Sequence, residues 1–124
     1  MNYGLGGAIS PHVDERNLYP HSREGFSPLN TRIMTFMIYL SDVEIGGNTV
    51  FPQVDLSIKP IKGSALLWFN ISPRMHFDSR LLHIGCPVVY GNKWIANKWI
   101  NLYAQFNDYK CTDENSKYSI HLHA

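Results

Sequence analysis

Apolar positions in this chain come in short runs rich in β-branched and aromatic residues, with no sustained helical period. The clearest run covers residues 31–40. Ile33, Thr35, Met37 and Tyr39 project from one face, and Met34, Phe36, Ile38 and Leu40 from the other. Both faces are largely apolar, which predicts a strand covered on both sides. Further strands are expected at residues 9–14, 48–51, 56–59, 64–69, 80–84, 87–90 and 93–103. Gly46-Gly47, Lys62-Gly63 and Gly91-Asn92 punctuate them as turns. About eight strands with a turn signal roughly every 8–12 residues read as an all-β sandwich or jelly roll. Residues 17–30 hold Pro20, Gly25 and Pro28 and little apolar material, so they read as a long mobile loop of the lid kind. After Phe106 the chain turns polar, and residues 107–124 read as a loosely ordered, partly disordered C-terminal extension.

A length of 124 residues sets one domain, and 44% hydrophobic against 17% charged residues is enough to close one core. The net charge of +1 removes the electrostatic argument for nucleic-acid or membrane-surface binding. No apolar run approaches the roughly 20 residues that span a bilayer. Residues 1–7 show neither a basic nor an apolar segment, so no signal peptide is expected there.

Candidate chemistry starts from six His. In His12-Val13-Asp14, a strand would project the imidazole and the carboxylate from one face, where both can bind one metal ion. The motif alone is weak, since chance supplies a His-x-Asp in roughly a third of such chains. His83 lies in the apolar Leu81-Leu82-His83-Ile84-Gly85, where a hydrogen-bonded core histidine is the simpler reading. Two His and one carboxylate with open positions form the facial triad of non-haem Fe(II) oxygenases, although zinc accepts the same ligands. Lys93 shares a strand face with Ile95, Asn97, Trp99 and Asn101, so it can serve a buried carboxylate, with Trp99 walling the pocket. Alternatively Lys93 belongs to the Gly91-Asn92-Lys93 turn and is solvated. His21, His76, His121 and His123 lie in loops or the tail, and no specific role is expected of them.

Longer blocks add to this. Tyr3-Gly4-Leu5-Gly6-Gly7, Pro11-His12-Val13-Asp14, Tyr39-Leu40-Ser41-Asp42-Val43, Gly46-Gly47-Asn48-Thr49-Val50-Phe51-Pro52, Lys62-Gly63-Ser64-Ala65, His83-Ile84-Gly85-Cys86-Pro87-Val88 and the segment from Gly91 to Trp99 stand in order. Together they resemble the catalytic domain of collagen-type prolyl 4-hydroxylase α subunits, from Tyr3 to about Phe106. The resemblance implies a double-stranded β-helix (a cupin-like jelly roll) over residues 1–106 that binds Fe(II) and 2-oxoglutarate. It implies His12, Asp14 and His83 as iron ligands, and Lys93 as the partner of the distal carboxylate of 2-oxoglutarate. Tyr3, Thr49 and Trp99 fall on positions lining that pocket, and Arg32 on one linked to peptide-substrate binding. The implied reaction couples decarboxylation of 2-oxoglutarate to succinate and CO₂ with 4-hydroxylation of proline in collagen-like X-Pro-Gly sequence, with L-ascorbate rescuing oxidised iron. Cys86 and Cys111 match cysteines that pair as a disulfide, which fits the endoplasmic reticulum lumen. Full-length α subunits assemble with protein disulfide isomerase as the β subunit.

The chain departs from that pattern in three places. It starts almost at the first active-site block, so an N-terminally truncated catalytic core is expected. Ile9 stands where the family usually has Tyr, and Glu15 follows Asp14 where an aromatic is usual. Two other readings stay open: a weakly active or inactive metal- or peptide-binding module, and the same chemistry on a different protein substrate.

Overall fold

The computed structural model describes residues 1–15, 31–72 and 78–102. Among them the chain runs β1 (Asn2–Tyr3), β2 (Ile9–His12), β3 (Arg32–Tyr39), β4 (Ile45–Gly46), β5 (Thr49–Phe51), β6 (Leu56–Ile58), β7 (Ala65–Phe69), β8 (His83–Gly85), β9 (Val88–Tyr90) and β10 (Lys93–Asn101). One sheet has the order β1-β10-β3-β7, a second β2-β8-β5-β6, and β4 pairs with β9. Every pairing is antiparallel. The architecture is the all-β jelly roll expected from the strand spacing.

The core lies between the two larger sheets. Met37, Tyr39, Trp68, Leu66 and Ile95 of the first sheet meet Phe51 of the second, with Leu81 beside them. Phe51 and Trp68 pack edge to face at 5.6 Å between ring centroids. Along β3 burial alternates strictly: Ile33, Thr35, Met37 and Tyr39 are buried, whereas Met34, Phe36 and Ile38 are only half-buried. The expectation of a strand covered on both faces therefore holds for one face among the described residues.

Three local expectations change. The strand expected at 9–14 ends at His12, and Asp14 sits in a bend after it. Residues 80–84 do not form one strand. The Asp78 side chain accepts from the Arg80 backbone N–H at 3.0 Å and from its guanidinium at 2.6 Å, which closes a 3₁₀ turn at Ser79–Leu81 before β8 begins. The two-residue strands β1 and β4 were not anticipated, because tertiary pairing alone defines elements so short. Residues 17–30 and 107–124, expected to be a loop and an extension, lie outside the described residues.

Gly46 shows how tightly β4 sits against the segment leading into β9. Its φ is +81°, and a Cβ there would overlap the Pro87 carbonyl oxygen, which accepts from the Gly47 N–H at 2.9 Å. Gly63 has a similar φ of +85° but open space around it. Gly46→Ala is therefore expected to destabilise by about 3 kcal/mol, through left-handed strain and backbone overlap together. Gly63→Ala should lose only about 1 kcal/mol. Thermal unfolding of both variants checks that order, and equal losses would refute it.

Candidate metal centre

β2 and β8 pair with His12 directly opposite His83, which brings the two rings to 4.2 Å between centroids. Each imidazole is oriented by the carbonyl two residues before it. His12 Nδ1 lies 2.8 Å from the Ser10 oxygen, and His83 Nδ1 lies 2.9 Å from the Leu81 oxygen. A carbonyl only accepts, so Nδ1 carries a proton in both rings, which leaves Nε2 of each ring as the atom able to bind a metal. Burial holds His83 below the ordinary imidazole range, and the Leu81 carbonyl and Asp14 only partly oppose that shift. Phe51 and Trp68 pack its ring at 5.3 and 5.1 Å. A neutral, fixed imidazole is what a metal ligand requires.

Asp14 supplies the third donor. His12 Nε2 and His83 Nε2 lie 3.7 and 3.8 Å from its Oδ1, and one donor atom of each residue falls within 4.8 Å of the others. Two ligands each about 2.1 Å from an ion sit about 3 Å apart at a right angle, so each imidazole needs to approach Asp14 by under an ångström for the set to hold a divalent cation. The strand argument anticipated this convergence but not its cause. Asp14 arrives through the bend after β2, and its Oδ2 is fixed by the hydroxyl of Thr35 at 2.6 Å.

The three donors line a cavity of about 180 Å³. Lys93 lines the same cavity and is 3% exposed, so it opens β10 as a buried residue rather than sitting in a solvated turn. It is the only buried lysine or arginine among the described residues. Desolvation pushes its ammonium down to about 8, against a smaller upward effect of Cys86. Below that pH the free site carries a desolvated charge that costs stability. The cost is relieved as pH rises through about 8 toward the ordinary 10.5.

Around Lys93 the polar groups form a short chain of hydrogen bonds centred on Thr49. Thr49 Oγ1 accepts from Tyr39 OH at 2.7 Å and from Lys93 Nζ at 3.4 Å. With both lone pairs engaged, the Thr49 O–H is left to donate. Burial pushes Tyr39 up to about 12, so it remains a phenol. Burial, and then Asp14, raises Tyr3 as well, and its ring stands 5.7 Å from Lys93 Nζ. A buried ammonium with the Thr49 hydroxyl proton beside it fits a carboxylate.

The remaining expected residues divide. Trp99 lines the cavity but is 39% exposed, and the Arg32 guanidinium stacks 3.8 Å above its ring. Arg32 Nη1 also donates to the Asp14 carbonyl at 3.3 Å, and the Arg32 backbone N–H donates to the buried carboxylate of Glu15. Ile9 lines the cavity wall. Cys86 is half-buried just after β8, while Cys111 lies outside the described residues and their expected pairing with it. His21, His76, His121 and His123 lie outside them too. The sequence reading missed Thr35, Tyr39 and Asn70. Thr35 and Tyr39 are polar positions on an otherwise apolar buried face, a signal hidden because both residue types favour strands.

A family model for the 2OG-Fe(II) oxygenase superfamily matches residues 1–101. The chain is 46% identical over 110 residues to prolyl 4-hydroxylase subunit alpha-3 of Homo sapiens, covering 85% of this chain and 19% of that one. It is 44% identical over 114 residues to subunit alpha-1 of Gallus gallus, covering 90% and 22%. Among solved structures, a viral collagen prolyl hydroxylase from Paramecium Bursaria Chlorella virus-1, in its 2OG complex, superposes with a TM-score of 0.71 at 33% identity, over 81% of this chain and 55% of that one. The chain thus spans about a fifth of the length of the curated relatives and about half of the viral enzyme. The matched residues include the two imidazoles, the single carboxylate and the buried ammonium, the groups that a divalent iron and a dicarboxylate need in one cavity. On that match and that geometry, the chain belongs to the 2OG-Fe(II) oxygenase superfamily.

Proposed function

We propose that this chain is the catalytic unit of an Fe(II)- and 2-oxoglutarate-dependent dioxygenase that 4-hydroxylates peptidyl proline, with residues 1–106 as the oxygenase domain and 107–124 as a C-terminal extension. The observation that carries the reading is the His12, Asp14 and His83 triad opening into the cavity that also holds Lys93. Fe(II) and 2-oxoglutarate, when bound, supply the oxidative decarboxylation to succinate and CO₂ that drives hydroxylation of the proline ring. His12, Asp14 and His83 hold the metal on one face. Lys93 and Thr49 receive the distal carboxylate, with Tyr3 beside them. Trp99 walls the cavity, and Arg32, stacked on it, meets the peptide. Apolar Phe51, Trp68 and Ile95 behind these groups exclude water.

The names of the relatives, prolyl 4-hydroxylase subunits and a collagen prolyl hydroxylase, favour a collagen-like peptide as substrate. From the family resemblance of the sequence blocks we add X-Pro-Gly as its sequence and L-ascorbate as the reductant that rescues iron. By the same family resemblance we propose a Cys86–Cys111 disulfide, residence in the endoplasmic reticulum lumen, and assembly of the full-length protein with protein disulfide isomerase as β subunit.

The test is 2-oxoglutarate decarboxylation with Fe(II) and ascorbate, with and without a Pro-Pro-Gly repeat peptide. Peptide-stimulated succinate formation is expected, and His83→Ala should reduce it by at least about a hundredfold. No turnover by a folded sample with bound iron would overturn the reading. Turnover that ignores the peptide would move it to another protein substrate.

Lys93 gives a second test. Bound carboxylate requires the ammonium, whereas the free site loses its proton above about pH 8. Affinity for 2-oxoglutarate, measured with Mn(II) to prevent turnover, should be flat below about pH 8 and fall by up to about tenfold per pH unit above it. Lys93→Ala should weaken binding by about 10–150-fold, the loss of one charged hydrogen bond, and remove the pH dependence. A wild-type profile flat to about pH 9 would refute the assignment of Lys93.

A further inference from the structure

Thr35 is fully buried at the centre of the β1-β10-β3-β7 sheet, opposite Trp99 on β10 and Trp68 on β7. A valine would fill that place equally well and favour a strand equally. The hydroxyl therefore needs a polar reason, and the structure gives it two partners. Thr35 Oγ1 lies 2.6 Å from Asp14 Oδ2, and Asn70 Nδ2 lies 2.9 Å from Thr35 Oγ1.

The direction of this chain of hydrogen bonds is fixed by counting protons. An ionised carboxylate only accepts, so the one hydroxyl proton of Thr35 must point at Asp14. Thr35 then needs a donor behind it, and the Asn70 amide nitrogen is that donor. With the amide turned over, its oxygen would compete for the same proton and leave two lone pairs facing each other at the Asp14 contact. Asn70 is 3% exposed, and its own Oδ1 has no partner among the described residues. A buried acceptor left unmet is costly, and retaining the amide there makes sense for its donor end.

We infer that Asn70 and Thr35 form a one-way relay that occupies Asp14 Oδ2 and so restricts Asp14 to a single metal-binding oxygen, Oδ1. The close approaches of His12 and His83 are both to Oδ1, as this requires. A carboxylate free to chelate through both oxygens would take up a position that the facial triad must leave open for its cosubstrate and O₂. The hydroxyl also draws charge from Asp14 and holds its plane. Thr35 is thus a positioning residue for the metal, acting through Asp14, and the inference rests on the metal reading given above.

The test uses the whole chain, stripped of metal and titrated with Mn(II). Calorimetry gives the affinity, and broadening of the Mn(II) paramagnetic resonance by isotopically labelled water counts the exchangeable waters on the ion. Thr35→Val, close in shape, should bind Mn(II) about 10–100-fold more weakly and lose one water as Asp14 turns bidentate. Thr35→Ser, which restores the hydroxyl, should stay within about threefold of wild type. Asn70→Leu, which leaves Thr35 its proton but not its support, should fall between them. A folded Thr35→Val with wild-type affinity and water count overturns the relay while leaving the metal site standing. If Thr35→Val does not fold, the wild-type count decides: a full face of waters opposite the triad supports the inference, and one fewer overturns it. Wild-type protein that binds no Mn(II) would instead bring down the metal reading, and the relay with it.

Discussion

The centre depends on one register, the antiparallel pairing of β2 with β8 that sets His12 opposite His83. Side chains alternate along a strand, so a slip by one residue would send either imidazole to the other face and leave Asp14 without a ligand pair. The register is held from both sides. β8 continues into β5 through Thr49 opposite Gly85 and Val50 opposite Ile84, which ties Thr49 to the same ladder. Behind β8, the Asp78–Arg80 turn ends at Leu81, whose carbonyl orients the His83 ring. The backbone that positions one ligand also fixes its tautomer.

The second constraint is burial of charge. Asp14 and Lys93 are 7% and 3% exposed, and both line the same cavity. A desolvated ion is tolerated only with compensation. Around Asp14 the hydroxyl of Thr35 provides part of it, and around Lys93 the oxygen of Thr49 provides part. Neither contact neutralises a charge. The polar residues placed inside this sandwich hold charges ready for a ligand, at some expense to the stability of the free chain.

Much of this could be read from residue order. The strand over 31–40 was evident from its alternation, and His12, Asp14, His83 and Lys93 from the match of long blocks. The physical route to Asp14 was only half visible: period two correctly aimed it beside His12, but the residue lies in a bend and is steered by Thr35, 21 positions away. Nothing local in the sequence distinguishes that threonine from the ordinary β-formers around it. The stretch at 80–84 was misread because its apolar pattern suits a strand, while an Asp78 side chain two residues from Arg80 offers the backbone a competing partner. The two-residue strands were illegible for a related reason, since only a partner elsewhere in the fold defines them. Side-chain hydrogen bonds between distant positions carry no periodicity, and the site is built largely from them.

Charge balance ties the two ends of the cavity together. The free protein presents one carboxylate in the bend after β2 and one ammonium at the start of β10, with no ion pair between them among the described residues. Pairing them directly would fill the cavity and satisfy both. Keeping them apart leaves a site that attracts a divalent cation on one side and an anion on the other. A divalent metal, the Asp14 carboxylate, a dicarboxylate dianion and the Lys93 ammonium sum to zero, with both imidazoles neutral. Removing either ligand leaves an uncompensated buried charge, so metal and dicarboxylate each improve the setting for the other without any movement of the scaffold. Asp14 and Lys93 are both buried, so that coupling is stronger than it would be between solvent-exposed groups at the same separation.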